Sequence, residues 1–407
     1  MGHFYDPLVQ YKKEPGMNFE FTQDQKILQS AIVDFLNKLP FDNVYWREKE
    51  KKAEWPIEFC TAMAEGGWLG ALIPEEYGGS GMGLTEGCII IEEIGRHAGI
   101  NATTAVHTSI FGPWPLMLHG SEELKQRVLP RIAKGEFIAF AITEPDIGFD
   151  TTRVATSAVP KDDDTYIING QKAFCSRVKE SQILMLVART TPYEEAEKRT
   201  QGITLFFTDL DWSTGALEAH EMHKMGRNAV PTYQFFMDNW EIPAADVCGD
   251  VGRGFYYLID TLNPERIAVA AQAVGLGHTC VARAVEYAKE RVVFGRPIGQ
   301  NQAIQFPLAD AYSRLEAARL MTYKAAWLFD RGEPCGAESN MAKVLASDAA
   351  FFAADRAVQT HGGYGYVREF DVERYFRELR LLQIAPVSQE MAYNHLAQHV
   401  LGLPRSY

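Results

Sequence analysis

The feature that most constrains this chain is a double switch in the spacing of its apolar residues. Up to about Lys134, and again after Gly252, apolar positions recur at helical intervals; between them, 135–245 alternates in short runs broken by Pro, Asp and Gly. A helix buries one stripe and a strand one face, so each switch marks a change of architecture. In the first part, Thr22 to Gln25 reads as a capping box, followed by Ile27, Ala31, Ile32 and Phe35 on one helical face. Further helices are expected near 56–67, 84–96, 101–119 and 122–134. Strands are expected within 136–142, 165–169, 182–189, 202–209 and 232–238, closing into a β-barrel or sandwich. Long helices follow at 263–292, 302–331, 336–361 and 387–400. The expected fold is an α+β multidomain chain: an arm (1–17), an N-terminal helical domain (18–134), a middle β domain (135–247) and a C-terminal four-helix bundle (248–407).

Composition narrows the function. The 407 residues are 46% hydrophobic and 12% aromatic, enough for a large core. A net charge of −13 argues against a nucleic-acid partner, which would need a basic face. Six cysteines, Cys60, Cys88, Cys175, Cys248, Cys280 and Cys335, show neither CxxC spacing nor a dense framework, so no metal site is expected and the thiols read as reduced. The N-terminal segment has no apolar signal core and no run reaches membrane-spanning length, which points to a cytoplasmic protein without a membrane partner. The segment 190–201, TTPYEEAEKRTQ, reads as a charged, solvated loop.

Four motifs carry chemistry. Gln359-Thr360-His361-Gly362-Gly363-Tyr364-Gly365-Tyr366, continued by Glu369, Arg374 and Glu378, couples a glycine turn that backbone can use to approach a ligand with a charged helix. Ala141 to Asp150 (AITEPDIGFD) and Ile168 to Ser176 (INGQKAFCS) flank the β region; by itself the Asn169-Gly170 pair is a hairpin signal. Arg291-Val292-Val293-Phe294-Gly295, with Gln302, places a guanidinium suited to phosphate beside an aromatic. Together with the weaker Pro74 to Gly81 turn, these run in the order of the acyl-CoA dehydrogenase family of flavoproteins, which the chain resembles over about 20–403.

That resemblance implies an FAD enzyme that oxidises an acyl-CoA thioester to the trans-2-enoyl thioester, a short or branched acyl chain being favoured by bulky Phe111. It implies FAD contacts from Phe140, Ile142, Thr143, Phe149, Phe174 and Ser176 in one subunit. Arg291, Phe294, Gln302, Gln359 and Gly363 would reach the cofactor of a neighbouring subunit, hence a homotetramer, and Ser388 and Glu390 complete the cofactor set. Ile147 and Phe149 depart from the family pattern, which has small or hydroxyl residues there. Asn263, Arg266, His107, Phe111 and Pro386 fall at substrate-lining positions, and electron-transfer flavoprotein or another acceptor would reoxidise the flavin.

The base is the informative position. Many relatives place a glutamate where this chain has Pro386, within Ile384 to Glu390 (IAPVSQE), and proline cannot act as a base. A minority, including isovaleryl-CoA and long-chain dehydrogenases, carry it earlier, before an arginine, and Leu262 to Ala268 (LNPERIA) matches with Glu265. Asn263-Pro264-Glu265 equally reads as a helix start, with Asn as N-cap, Pro at N1 and an acid favoured by the dipole, which would make the carboxylate a weaker base. Pro386 also lacks the N–H that relatives offer to the thioester oxygen. A flavoenzyme of the same scaffold with monooxygenase or desulfinase chemistry, or a non-catalytic flavin or acyl-CoA binder, is therefore the alternative.

Overall fold

The computed structural model describes residues 19–406; the expected arm (1–17) lies outside the described residues. Six helices open the chain: α1 (Gln23–Lys38), α2 (Asn43–Lys52), α3 (Ile57–Glu65), α4 (Leu84–Phe111), α5 (Trp114–His119) and α6 (Glu122–Ala133). The capping box at the start of α1 forms, Thr22 Oγ1 accepting from Gln25 N at 3.2 Å while Thr22 N donates to Gln25 Oε1 at 3.0 Å. Helices are expected at 84–96 and 101–119. The break expected between them is present, since Gly99 is non-helical (φ 82°, ψ −172°) within the span called α4, and a further break falls at Gly112-Pro113, before α5. The kink is tolerated because Glu378 Oε2 accepts the Ile100 N–H at 2.7 Å, and a Cβ at residue 99 would lie 3.1 Å from that same oxygen.

The middle domain is one eight-stranded sheet: β1 (Ile138–Ala141), β2 (Ser157–Pro160), β3 (Thr165–Ser176), β4 (Ile183–Arg189), β5 (Ile203–Asp209), β6 (Leu217–Glu221), β7 (Thr232–Pro243) and β8 (Val247–Cys248). Its order is β6-β7-β3-β2-β4-β5-β8, with β1 parallel to β4. β2, β6 and β8 lie outside the expected strand segments. The Asn169-Gly170 hairpin is corrected: both residues lie inside β3, which pairs with β2 on one side and β7 on the other. Pairing on both edges outweighs the local turn preference, and the Asn-Gly irregularity survives as a register shift between Ile168 and Gly170.

The C-terminal part is built from α7 (Gly254–Glu290), a small hairpin of β9 (Val292–Val293) and β10 (Arg296–Pro297), α8 (Gln302–Asp330), α9 (Gly336–His361), α10 (Val372–Arg380) and α11 (Gln389–His395). Small residues set how closely its helices approach. A Cβ at Gly275 would lie 2.1 Å from the Glu92 carbonyl oxygen, and one at Gly277 would lie 2.5 Å from Leu315. The bundle and the N-terminal helices share one core, running from Ile32 through Ile94, Ile267 and Leu315 to Leu382.

The charged helix of the C-terminal motif is structural. Glu378, buried and paired with Arg374 at 3.0 Å, accepts from Ile100 N and from Asn101 Nδ2, each at 2.7 Å. Beside it, Glu50 of α2 accepts from Asn101 Nδ2, from the Asn228 backbone N–H and from Arg377 Nη1, at 3.0, 2.7 and 2.8 Å. One carboxylate thus joins the helical, β and bundle domains. Burial opposes its charge, but Arg377 and these donors hold its carboxyl below the ordinary value. Among the described residues, no helix is long and apolar enough to cross a membrane.

Candidate active site

Glu265 lies inside α7, about three turns from its start. The expected helix start at Asn263-Pro264 is therefore corrected: α7 begins at Gly254, and Pro264 is an interior proline. No first-turn amides face Glu265, so the dipole does not stabilise its charge. Its carboxyl makes no hydrogen bond or ion pair among the described residues. Burial pushes it up to about 7, with Arg266 pulling weakly the other way. Some of its surface stays accessible although protein surrounds it, as expected of a group lining a recess. A half-buried, unpartnered carboxyl poised near neutrality is what a general base requires.

Two contacts orient what faces it. Thr103 Oγ1 donates to Gln272 Oε1 at 2.6 Å and His119 Nε2 meets Asp260 Oδ2 at 2.7 Å, so α4 and α5 run antiparallel to α7 and carry 107–111 past the turn bearing Glu265. Phe111 is fully buried, its ring contacting His107 and Phe140. His107 Nδ1 faces the Thr103 and Thr104 carbonyl oxygens at 3.1 and 3.2 Å. Burial, then Arg177 and Arg227, push His107 down to about 3, so it is neutral at any working pH. Arg266 Nη1 and Ser339 Oγ both donate to Asn263 Oδ1, at 3.1 and 2.9 Å.

The other expected residues form two groups. On the β domain, Ile142 O accepts from Lys172 Nζ at 3.1 Å and Thr143 O from Ala173 N at 2.8 Å, lacing the end of β1 to β3. There a register shift between Lys172 and Cys175 turns Phe174 outward with φ 58° and 63% exposure. A left-handed, exposed aromatic is costly without a partner, and suits a flat ring stacked on it. Thr143 meets the strand one residue before Phe174, Ser176 follows two residues after it, and Phe149 is exposed. The β face therefore fits an isoalloxazine.

The second group sits at the outer edge of the bundle. Arg291 lies 6.0 Å from the centre of the Tyr364 ring, which brings the end of α7 to the glycine turn holding Gly363. Phe294, at the tip of the β9–β10 hairpin, is fully exposed with φ 53°, and Gln302 and Gln359 are exposed as well. A Cβ at Gly363 would meet open space. No hydrogen bond, ion pair or ring contact among the described residues links this group to the first. Ser388 caps α11, its Oγ accepting from Met391 N at 3.3 Å. Glu390 is exposed, and hydrogen bonds from its own backbone and Ser388 hold its carboxyl below the usual range.

Sequence reasoning passed over several residues. Lys198, Gln201, Arg253 and Tyr256 line a polar cleft of about 470 Å³ at the start of α7, made by the 190–201 loop folding back. Lys343 and Asp348 on α9 hold the loop that carries Pro386. A lysine within the alanine-rich buried face of α9 was the available signal for Lys343.

Similarity to known proteins identifies the family. The N-terminal, middle and C-terminal domains of acyl-CoA dehydrogenase match residues 22–136, 139–240 and 252–401. An acyl-CoA dehydrogenase of Bacillus subtilis is 37% identical, over 94% of this chain and 99% of that protein. A 3-(aryl)acrylate reductase of Clostridium sporogenes is 35% identical, over 94% and 99%. The butyryl-CoA dehydrogenase structure from Megasphaera elsdenii superposes with a TM-score of 0.87 at 31% identity, covering 95% of this chain and all of that one. With all three domains matched in order around an unpartnered carboxyl and an exposed aromatic face, the chain belongs to the acyl-CoA dehydrogenase family.

Proposed function

We propose that this protein is an FAD-dependent acyl-CoA dehydrogenase in which Glu265 is the base. The unpartnered Glu265 carboxyl, raised to about 7 by burial, is the observation that carries this reading. Its carboxylate takes the α-proton as the Cα–H bond breaks, and the electron pair moves towards the thioester carbonyl. Bound FAD supplies the acceptor for the hydride leaving Cβ, and a trans-2-enoyl thioester results. Thr143, Phe174 and Ser176 hold the flavin edge. The bulk of the buried Phe111 ring favours a short or branched acyl group. The polar cleft with Lys198 and Arg253 comes nearest Glu265 in sequence at Tyr256, nine residues earlier and about 13 Å along the helix, and suits the phosphate-bearing end of coenzyme A.

Arg291, Phe294, Gln302, Gln359 and Gly363 serve the cofactor of a neighbouring copy in a homotetramer, since they lie apart from the Phe174 face of their own chain. An apolar groove of about 480 Å³ between α7 and α8, lined by Val281, Val285, Ile304 and Leu308, supports that assembly. Six buried free thiols suit a reducing, cytoplasmic setting. Electron-transfer flavoprotein is the natural class of reoxidant. The three domains divide at 134/135 and 247/248.

The test is anaerobic titration with a panel of acyl-CoAs, following flavin absorbance in wild type and Glu265→Gln. Wild-type bleaching, lost in a variant that keeps its FAD, supports the reading; bleaching that survives overturns Glu265 as base. Sedimentation of the same samples tests the assembly, which an FAD-loaded monomer would refute.

A further inference from the structure

Positive charge gathers beside α4 with no anion to answer it. The loop 222–231, between β6 and β7, is fastened along that helix at two places. The Asn228 and Ala229 amides donate to Glu50 Oε2 at 2.7 and 3.4 Å, and the same oxygen takes Asn101 Nδ2 of α4 at 3.0 Å. At the far end of the loop the Pro231 carbonyl oxygen accepts from Arg177 N at 2.7 Å, while the Arg177 guanidinium donates to the Thr104 carbonyl oxygen at 3.2 Å and to that of Ala105.

Arg227 lies between these anchors, held at φ 58°. Its guanidinium makes no hydrogen bond or ion pair among the described residues, and its Nε is enclosed. Glu378 and Glu50 support its charge only from beyond ion-pair distance, their own pairs being with Arg374 and Arg377. Lys224, on the same loop, is likewise without a partner among the described residues. The Arg177 guanidinium donates to carbonyl oxygens alone. Burial pushes Arg177 and Arg227 down to about 10 and lowers Lys224 too, and the charge of Arg227 adds to the effect on both its neighbours. Enclosed cations that repel one another are costly unless something negative joins them.

The helix face they border is also short of partners. Thr104, His107, Thr108 and Phe111 recur at helical spacing on one side of α4. Arg177 and Arg227 are close enough to His107 to help keep its ring neutral. The Thr104 and Thr108 hydroxyls, both enclosed, have no partner. The carbonyl oxygen that Thr108 would ordinarily take one turn back, that of Thr104, is already met by Arg177 Nη1 and His107 Nδ1, each at 3.2 Å. This stripe ends at Phe111, about 6 Å beyond His107, where α4 passes the Glu265 turn. The base and the cations therefore stand towards opposite ends of one stripe.

We propose that the acyl group oxidised here carries a carboxylate at its far end, bound by the fork of Arg227 and the Thr104 and Thr108 hydroxyls, with Arg177 and Lys224 adding charge. The assignment rests on the dehydrogenase reading above and narrows its substrate to an ω-carboxyacyl thioester of coenzyme A. The carboxylate is held and takes no part in the chemistry at Cα and Cβ.

The probes are the 3-thia forms of adipyl-CoA and suberyl-CoA, each beside its uncharged counterpart, 3-thia hexanoyl-CoA or octanoyl-CoA. Sulfur replaces Cβ, so all four bind without giving up a hydride. Calorimetry on the FAD-loaded protein reads the dissociation constants. Wild type is expected to bind a carboxylated ligand on the order of 30-fold tighter than its counterpart, and Arg227→Met should bring that ratio below about threefold. Affinity for the uncharged ligand should hold or rise in that variant, since an unpaired cation has gone. Thr108→Val should lower the ratio by about fivefold. A wild-type ratio below about threefold at both lengths, or a ratio that survives in Arg227→Met, overturns the carboxylate site. Should Arg227→Met lose its FAD, Lys224→Met decides, and a ratio unchanged from wild type overturns the site. Wild-type flavin left oxidised by every reactive acyl-CoA, with the ratio intact, would overturn the dehydrogenase reading and not the carboxylate site.

Discussion

Glu265 and Glu378 are the same side chain in the same half of the molecule, both pushed upward by burial, and they do opposite things. Glu378 answers burial with Arg374, Asn101 and the Ile100 amide, and becomes part of the frame. Glu265 answers it with nothing but the neighbouring charge of Arg266. A buried carboxyl that the fold satisfies is spent on structure; one left unsatisfied keeps its reactivity for a ligand. The motif that looks most functional in sequence, the charged helix 372–380, is thus the structural one, and its glycine turn is what faces outward.

The comparison can be broken by exchanging the two roles. Glu265→Gln should lower the rate of flavin reduction by about 10²–10⁴-fold while FAD stays bound, whereas Glu378→Gln should leave that step close to wild type in whatever protein folds. The reverse holds for stability. Glu378→Ala removes the closer of Arg374's two carboxylate partners, leaving only Asp371 at 3.4 Å, and should cost about 3–5 kcal/mol, read as a fall in the melting transition. A Glu378 variant that melts like wild type would end the distinction.

The pH dependence sharpens it. Glu265 must be ionised to accept a proton, so the reduction rate should fall about tenfold per pH unit below about 7 and level off above it. A profile flat from pH 5.5 to 8.5 would contradict the assignment. The smallest effect has an unusual sign. A carboxyl whose folded value is raised binds its proton more tightly in the folded than in the unfolded chain, so its contribution to stability is lost as pH rises from about 4.5 to about 7. Glu265→Gln should therefore raise the melting temperature of the protein at pH 8, and this advantage should vanish near pH 4.5. Destabilisation at pH 8 would show that Glu265 holds a structural partner.

Most of the frame was legible because it rests on period. The bounds of α8 and α9 follow from their apolar spacing almost to the residue. What escaped depends on partners distant in sequence. Asn169-Gly170 carries a turn signal that β2 and β7 overrule from both sides. Asn263-Pro264-Glu265 has the local grammar of a helix start, and only the upstream turn from Gly254, packed near α5, shows it to be an interior. At the site, Glu265 and Phe174 could be named from motifs, but the observation that supports Glu265 as the proposed base could not, because it consists in the absence of hydrogen-bond partners among the described residues. The hold of Asp348 on the Pro386 loop was invisible, since Gln383 and Gln389, which meet it, lie more than thirty residues further on.

The Glu50 carboxylate has a mechanical consequence. A helix of the first domain, a turn of the second and an arginine of the third all depend on the same two oxygens, so no domain can swing away without leaving a buried charge bare. A cleft that opened like a jaw would pay that penalty on every turnover. Substrate must instead enter a rigid body through rearrangement of side chains and short loops, and the three domains should melt together in one cooperative step.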